Sequence, residues 1–289
     1  MKSTPLAVFA YRRPDHLRRL MESLVACDRF KDVDIVIFCD GARTYKDTKA
    51  VEQTRLEAVE WRHRLGGRVI MRDKNIGLAQ SVISGVSELC NEHGRVIVVE
   101  DDLVVGRHFL VHHLKALETY ENTREVWQIS GFSFRMEPVK EGSCYFLPII
   151  STWGWSTWKR AWDLFDPTAI TSATVSMGAK TIARFNIDNA FPYSKMLQDA
   201  LQGRNDSWGI KWNWRVFVAG GMVLYPPKSL VHNAGFDGSG SHCNHRNTAW
   251  QLSEREVLGP SQTPPLSFPA ACRIEPSQWS HLRDVLASI

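Results

Sequence analysis

Apolar positions in the first third of the chain alternate between two spacings. Short runs rich in β-branched residues, at residues 6–10, 35–39, 69–71 and 96–99, read as strands, and each stops abruptly at polar or charged residues. Between them the spacing becomes helical. Leu17, Leu20, Met21 and Leu24 follow Pro14, a residue suited to a first helical turn, and Leu78, Val82, Val86 and Leu89 mark one helix face before the fourth strand. Strands separated by helices predict a mainly parallel α/β sheet with right-handed crossovers and both faces covered. Ligands of such a sheet sit beyond the carboxyl ends of its strands.

The second half changes character. From Val126 the strands shorten and tryptophans crowd together, at Trp153, Trp155, Trp158 and Trp162 and again at Trp208, Trp212 and Trp214. No internal repeat and no Gly- or Pro-rich linker separates this half. The expected organisation is therefore one domain over residues 1–258, with halves 1–125 and 126–258. A looser extension, 259–289, carries Pro260, Pro264, Pro265 and Pro269 before a last short helix with Trp279, Leu282 and Leu286 on one side, expected to pack on the outside.

Bulk properties narrow the function classes. A chain of 289 residues, 44% hydrophobic, suffices for one large α/β domain. The 35 Lys and Arg against 31 Asp and Glu leave +4, which suits a phosphate-bearing ligand or an anionic surface and does not call for nucleic acid. No segment approaches the roughly 18 uninterrupted apolar residues of a membrane span. Only five residues precede the first apolar run, so no signal peptide is expected and the chain reads as cytoplasmic. Its six cysteines, Cys27, Cys39, Cys90, Cys144, Cys243 and Cys272, form no CxxC and are expected to be buried thiols rather than a disulfide framework or a zinc ribbon.

Candidate chemistry lies where the strands end. The fourth strand, VIVV, runs straight into Glu100, Asp101 and Asp102. Three adjacent carboxylates repel one another, and a divalent cation with its phosphates would balance them; a solvated acidic turn is the plainer alternative. The first strand ends in Ala10, Tyr11, Arg12 and Arg13, an aromatic and two guanidiniums beside a helix N-terminus, which suits phosphate or a base edge and equally suits solvent. Asp40 follows the second strand in an Asp-Gly turn, as an acceptor for a base or ribose or as an ordinary turn residue. Lys74 and Gly77 follow the third, ahead of the next helix. All four groups share the ligand-binding edge of the predicted sheet. No G-x-G-x-x-G follows the first strand and no G-x-x-x-x-G-K-[ST] occurs, which removes dehydrogenase and P-loop readings.

Six segments, VFAYRRPDHLRRLMESL, DKNIGLAQSV, VVEDDLVVGRHFL, STWGWSTWKRAW, DSWGIKWNWRVF and SLVHNAGFDGSGSHC, run in order from about residue 6 to 243. Together they resemble bacterial glycosyltransferases of the GT-A fold related to N-acetylglucosaminyltransferase I. The resemblance implies a Rossmann-like GT-A domain over residues 1–258, with a nucleotide-binding half (1–125) and an acceptor-side half (126–258). It implies inverting, metal-dependent transfer from a nucleotide sugar, most simply a UDP-sugar, to a glycan or lipid-linked acceptor hydroxyl. Bacterial surface polysaccharide or glycoconjugate synthesis, at the inner face of the membrane and without a required protein partner, goes with it.

By the same resemblance Asp102 holds Mn2+ or Mg2+ across the diphosphate, and Glu100 and Asp101 contact ribose and donor sugar. Ala10, Tyr11, Arg12, Asp40, Lys74 and Gly77 line the nucleotide. Trp155, in the glycine-tryptophan turn, lies beneath the donor sugar. Asp206 is the general base, with Gly209 standing where some relatives have an acid, and helix capping is its other reading. His242 is nominated as a metal or diphosphate ligand. His232, His242, Cys243 and His245 also suggest zinc, but at a spacing that fits no common structural site. Two rivals stand beside transfer: a sugar-nucleotide nucleotidyltransferase, which would carry a glycine-rich basic loop after the first strand, and a non-catalytic carbohydrate-binding protein.

Overall fold

The computed structural model describes residues 3–134, 142–172, 175, 178–237 and 266–288. Its centre is β1 (Thr4–Ala10), buried along its whole length. Strand β1 pairs in parallel with β2 (Val33–Cys39), from Thr4 opposite Val33 to Ala10 opposite Cys39. On its other side it pairs with β4 (Arg95–Glu100), Phe9 lying opposite Glu100. Strand β3 (Arg68–Met71) joins the outer edge of β2. The connections are α1 (Pro14–Val25), α2 (Thr48–Leu65) and α3 (Gly77–His93). Because this part of the sheet is covered, its strands are continuous apolar runs rather than alternating ones. Helix α3 comes unusually close: a Cβ on Gly85 would lie 2.9 Å from Phe9, whose ring stacks on Phe38 at 4.9 Å.

The four strands and two of the helices fall where the spacing predicts them. Helix α2 has no such signature because few of its positions are buried, among them Val51, Ala58 and Trp61.

Past β4 come β5 (Leu103–Val105), α4 (Phe109–Thr119), β6 (Val126–Ser130), β7 (Tyr145–Leu147), β8 (Trp155–Trp158) and α5 (Lys159–Trp162). Helices α6 (Ala179–Phe185), α7 (Tyr193–Leu201) and α8 (Trp208–Val218), strands β9 (Met222–Tyr225) and β10 (Val231–Asn233), and helix α9 (Pro276–Ala287) complete the described chain. One eight-stranded sheet runs β3-β2-β1-β4-β8-β6-β9-β7, so it is continuous across residues 125 and 126. Strand β8 is antiparallel to both β4 and β6, and β7 is antiparallel to β9. The remaining strands run one way, a mainly parallel sheet. A separate antiparallel ribbon joins β5 to β10. These short strands carry little periodicity of their own.

The tryptophan-rich half is chiefly core. Trp155, fully buried, lies 5.5 Å from Trp208 and 5.7 Å from Trp162, and the Trp212 indole N–H donates to Gln128 Oε1 at 2.7 Å. Helix α9 buries Leu282 and Leu286 as its spacing predicts, while Trp279 donates to Asp188 Oδ2 at 2.6 Å beneath the Arg184 guanidinium, 3.9 Å above its ring. Cys27, Cys39, Cys90 and Cys144 are buried free thiols and Cys272 is half-buried; Cys243 lies outside the described residues.

The turn into β8 depends on Gly154, at φ +59°. A Cβ there would lie 2.7 Å from Phe109 and 2.8 Å from Val231, and the Gly154 carbonyl accepts from Gly131 N–H at 2.6 Å. A left-handed non-glycine residue costs about 1–2 kcal/mol before any clash. Gly154→Ala should therefore lower stability by at least that amount, seen as a lower denaturant midpoint at unchanged slope; an unchanged midpoint would show that the turn relaxes freely.

Candidate active site

At the carboxyl end of β4 the chain turns out of the sheet, leaving Glu100 and Asp102 half-buried and Asp101 buried. Asp101 N–H donates to the Phe9 carbonyl at 2.9 Å, and Asp101 Oδ2 accepts from Tyr11 N–H at 3.1 Å, which ties the triplet to the end of β1. Burial pushes the Glu100 carboxyl up to about 8, with the charges of Asp102 and Asp101 adding to it. Burial also raises Asp101 and Asp102, and the Arg13 guanidinium opposes both shifts.

The two adjacent arginines have separate roles. Arg12 turns aside to Asp47, 2.6 Å away, at the end of the short turn that precedes α2. Arg13 turns inward, 3.4 Å from Asp102 Oδ2 and 3.9 Å from Asp101 Oδ1, with its side chain 18% exposed. Burial works against its charge, and the carboxylates of Asp101, Asp102 and Glu100 more than restore it. Arg13 is one of the cleft residues that the sequence leaves unassigned, since neighbouring arginines give no sign of which one faces the acids.

A cleft of about 310 Å³ opens at this edge of the sheet. Ala10, Tyr11, Arg12, Asp40, Gly77 and the acidic triplet all line it, as sequence reasoning groups them. Lys74 is exposed and is not among the lining residues. Asp40 is buried with a defined task. Its carboxylate accepts from Gly41 N–H at 2.9 Å, Ile76 N–H at 3.0 Å and Gly77 N–H at 3.0 Å, clamping the end of β2 to the first turn of α3. A Cβ on Gly41 would lie 2.4 Å from the Lys74 carbonyl carbon, so the two loops touch. Much of the capacity expected to face a base or ribose is thus spent on backbone.

On the other side of the acids, Thr152, Trp153, Asp206 and Asn233 also line the cleft. Trp155 does not reach the cleft: the turn at Gly154 sends it into the core, where its indole N–H has no partner among the described residues, and leaves Trp153 at the surface of the cavity. Asp206 lines the cleft one residue ahead of the helix cap. Ser207 is the N-cap of α8, its hydroxyl accepting from Ile210 N–H at 3.4 Å, so capping is not the work of Asp206. His242 and the other residues of the polar loop that begins at Gly238 lie outside the described residues.

The donor set suits a hard divalent cation. Among the described residues no three His, Cys, Asp or Glu side chains converge on one point, so a cation held by the described residues would have one or two carboxylates, with water and phosphate at its other positions. That is the usual arrangement for Mg2+ at a nucleotide. The segment after β10 shapes the last acid: Ala234 N–H donates to the Asp102 carbonyl at 2.7 Å, and a Cβ on Gly235 would lie 2.7 Å from Asp102 Oδ2.

No family description and no curated protein matches the chain by sequence. Solved structures do match. GalNAc-T7, crystallised with UDP, GalNAc and Mn2+, is 11% identical and aligns with 80% of this chain at a TM-score of 0.50. Staphylococcus aureus TarS 1-349 is 9% identical over 81% of this chain and 61% of its own (TM-score 0.46), and the Pyrobaculum calidifontis mannosyltransferase PcManGT, with GDP-Man and Mn2+, is 12% identical over 76% of this chain and 70% of its own (TM-score 0.42). The chain spans 44% of the length of the GalNAc-T7 chain. With its mainly parallel sheet, flanking helices and antiparallel β8, the chain has the α/β fold of a GT-A glycosyltransferase.

Proposed function

We propose that this protein is a nucleotide-sugar glycosyltransferase that transfers a sugar to an acceptor hydroxyl with inversion. The observation that carries the reading is the order of groups along one cleft: the β2–α3 clamp at one end, the acidic triplet and Arg13 in the middle, and an aspartate at the other end. The nucleoside lies against the loops that Asp40 joins, on the residue 1–125 side, and Asp102 holds the cation with Asp101 and Glu100 beside it. A bound Mn2+ or Mg2+ supplies charge neutralisation for the departing diphosphate. Arg13 adds a fixed guanidinium at the same place. Asp206, on the residue 126–258 side, takes the proton of the acceptor hydroxyl as its oxygen attacks the anomeric carbon. The bond to the β-phosphate oxygen breaks with its electron pair, giving the nucleoside diphosphate and an inverted glycoside.

A UDP-sugar donor, a glycan or lipid-linked acceptor and a role in bacterial surface polysaccharide or glycoconjugate synthesis follow from the motif resemblance to relatives of N-acetylglucosaminyltransferase I. No helix among the described residues is long and apolar enough to cross a membrane, and we place the work at the inner membrane face. His242 is proposed as a further ligand to metal or diphosphate. Residues 1–258 form the catalytic domain in this reading, supported by the continuity of the sheet.

Thermal stabilisation by a panel of nucleoside diphosphates with Mn2+ tests the reading. Asp102→Asn preserves size beside Gly235 and should keep the fold while abolishing metal-dependent stabilisation and turnover. Near-normal activity at limiting Mn2+ would remove Asp102 from the metal.

Asp206→Asn should leave donor binding and melting temperature unchanged, because Ser207 carries the cap, while transfer falls by about 10²-fold or more, the scale of lost base assistance. Transfer at the parental rate with saturating donor and acceptor would leave the mechanism without its base.

A further inference from the structure

Strand order gives the cleft a direction. Its lining residues come in turn from β2 (Asp40), β1 (Ala10 to Arg13), β4 (Glu100 to Asp102) and the entry to β8 (Thr152 and Trp153). Trp153 therefore stands across the acids from the clamp that Asp40 makes with Gly77. The first turn of α8 closes the same end, since a Cβ on Gly209 would lie 3.2 Å from Thr152 Cγ2, and Asp206 precedes that turn.

Trp153 is held in one orientation. Its ring meets Phe132 at 5.1 Å and 82° and Phe236 at 5.7 Å and 74°, and its backbone N–H donates to Ser151 Oγ at 3.3 Å. The left-handed residue that follows it, Gly154, separates it from the core position of Trp155. The result is a large, half-buried indole in a cleft that Thr152 and Asp206 also line. An apolar ring beside a few placed polar groups matches a pyranose, which has an apolar C–H face and a rim of hydroxyls. Pre-ordering by Phe132 and Phe236 also reduces the entropy lost on binding.

We propose that Trp153 is the sugar-stacking side chain of this cleft and sets its preference for a pyranosyl ring. The inference rests on the nucleotide-sugar reading above and adds to it the residue that meets carbohydrate. The ring can belong to the donor or to a saccharide acceptor, and binding and kinetics separate the two.

The test uses the full chain with Mn2+ and either UDP or GDP, whichever binds the parent. Trp153→Ala and Trp153→Phe are compared with the parent for affinity to the nucleoside diphosphate and to its sugar conjugates, and for KM of saccharide acceptors, with melting temperature as a folding control. If the donor's sugar stacks there, Trp153→Ala should weaken the sugar nucleotide about fivefold to tenfold, the scale of one aromatic contact, and leave the nucleoside diphosphate unchanged. If the acceptor's ring stacks there, both affinities should hold while acceptor KM rises by a similar factor. In either case Trp153→Phe should recover most of the loss, and its retained ring keeps the test valid should the alanine variant misfold. Unchanged values throughout would overturn the proposal, as would an equal loss for the bare nucleoside diphosphate. A parent protein that binds neither diphosphate would instead overturn the nucleotide reading of the cleft, and the role of Trp153 with it.

Discussion

Like charge at the end of a buried strand is the constraint on which the site depends. Glu100, Asp101 and Asp102 follow four apolar residues of β4 and cannot all ionise cheaply where they stand, because burial and mutual repulsion both favour their neutral forms. Arg13 meets part of this demand from the start of α1. The remainder is a preference for positive charge at the mouth of the sheet, which the cation and diphosphate of the proposed function would satisfy. The same desolvation that strains the triplet strengthens any cation held there.

The surrounding fold keeps that strained group in place. Parallel pairing sets Phe9 beside Glu100, so the loops after β1 and β4 leave the sheet at the same level, and the Tyr11 N–H can reach Asp101. The Asp40 clamp fixes the next loop along through the backbone N–H groups of Ile76 and Gly77. From the far half of the chain, β10 pairs with β5 and delivers Ala234 and Gly235 against Asp102, where a Cβ at position 235 would crowd the carboxylate. Residues more than a hundred positions apart therefore define one acid.

The parts of this architecture written in periodicity were legible in the sequence. Long, fully buried strands and amphipathic helices announce themselves, and so does an acidic triplet placed directly on an apolar strand. Directions of individual side chains were not. Adjacent Arg12 and Arg13 diverge because one finds Asp47 and the other finds the triplet. Trp155 points into the core instead of the cleft expected of it, and Trp153 faces the cleft, because Gly154 adopts a left-handed turn. The Asp40 carboxylate proves to be occupied by backbone donors, two of them, Ile76 and Gly77, on the next loop, a contact that no local pattern encodes. Helix α2 leaves no periodic signature because its buried stripe is thin.

The claim that the buried triplet and the diphosphate share one cation is tested most directly by calorimetric titration of the nucleoside diphosphate with and without Mn2+. Linkage requires the two ligands to help one another equally. The account predicts weak binding of either alone and at least about tenfold tightening of each by the other, a coupling of roughly 1.4 kcal/mol. Nucleoside diphosphate affinity that is the same in Mn2+ and in EDTA would contradict it.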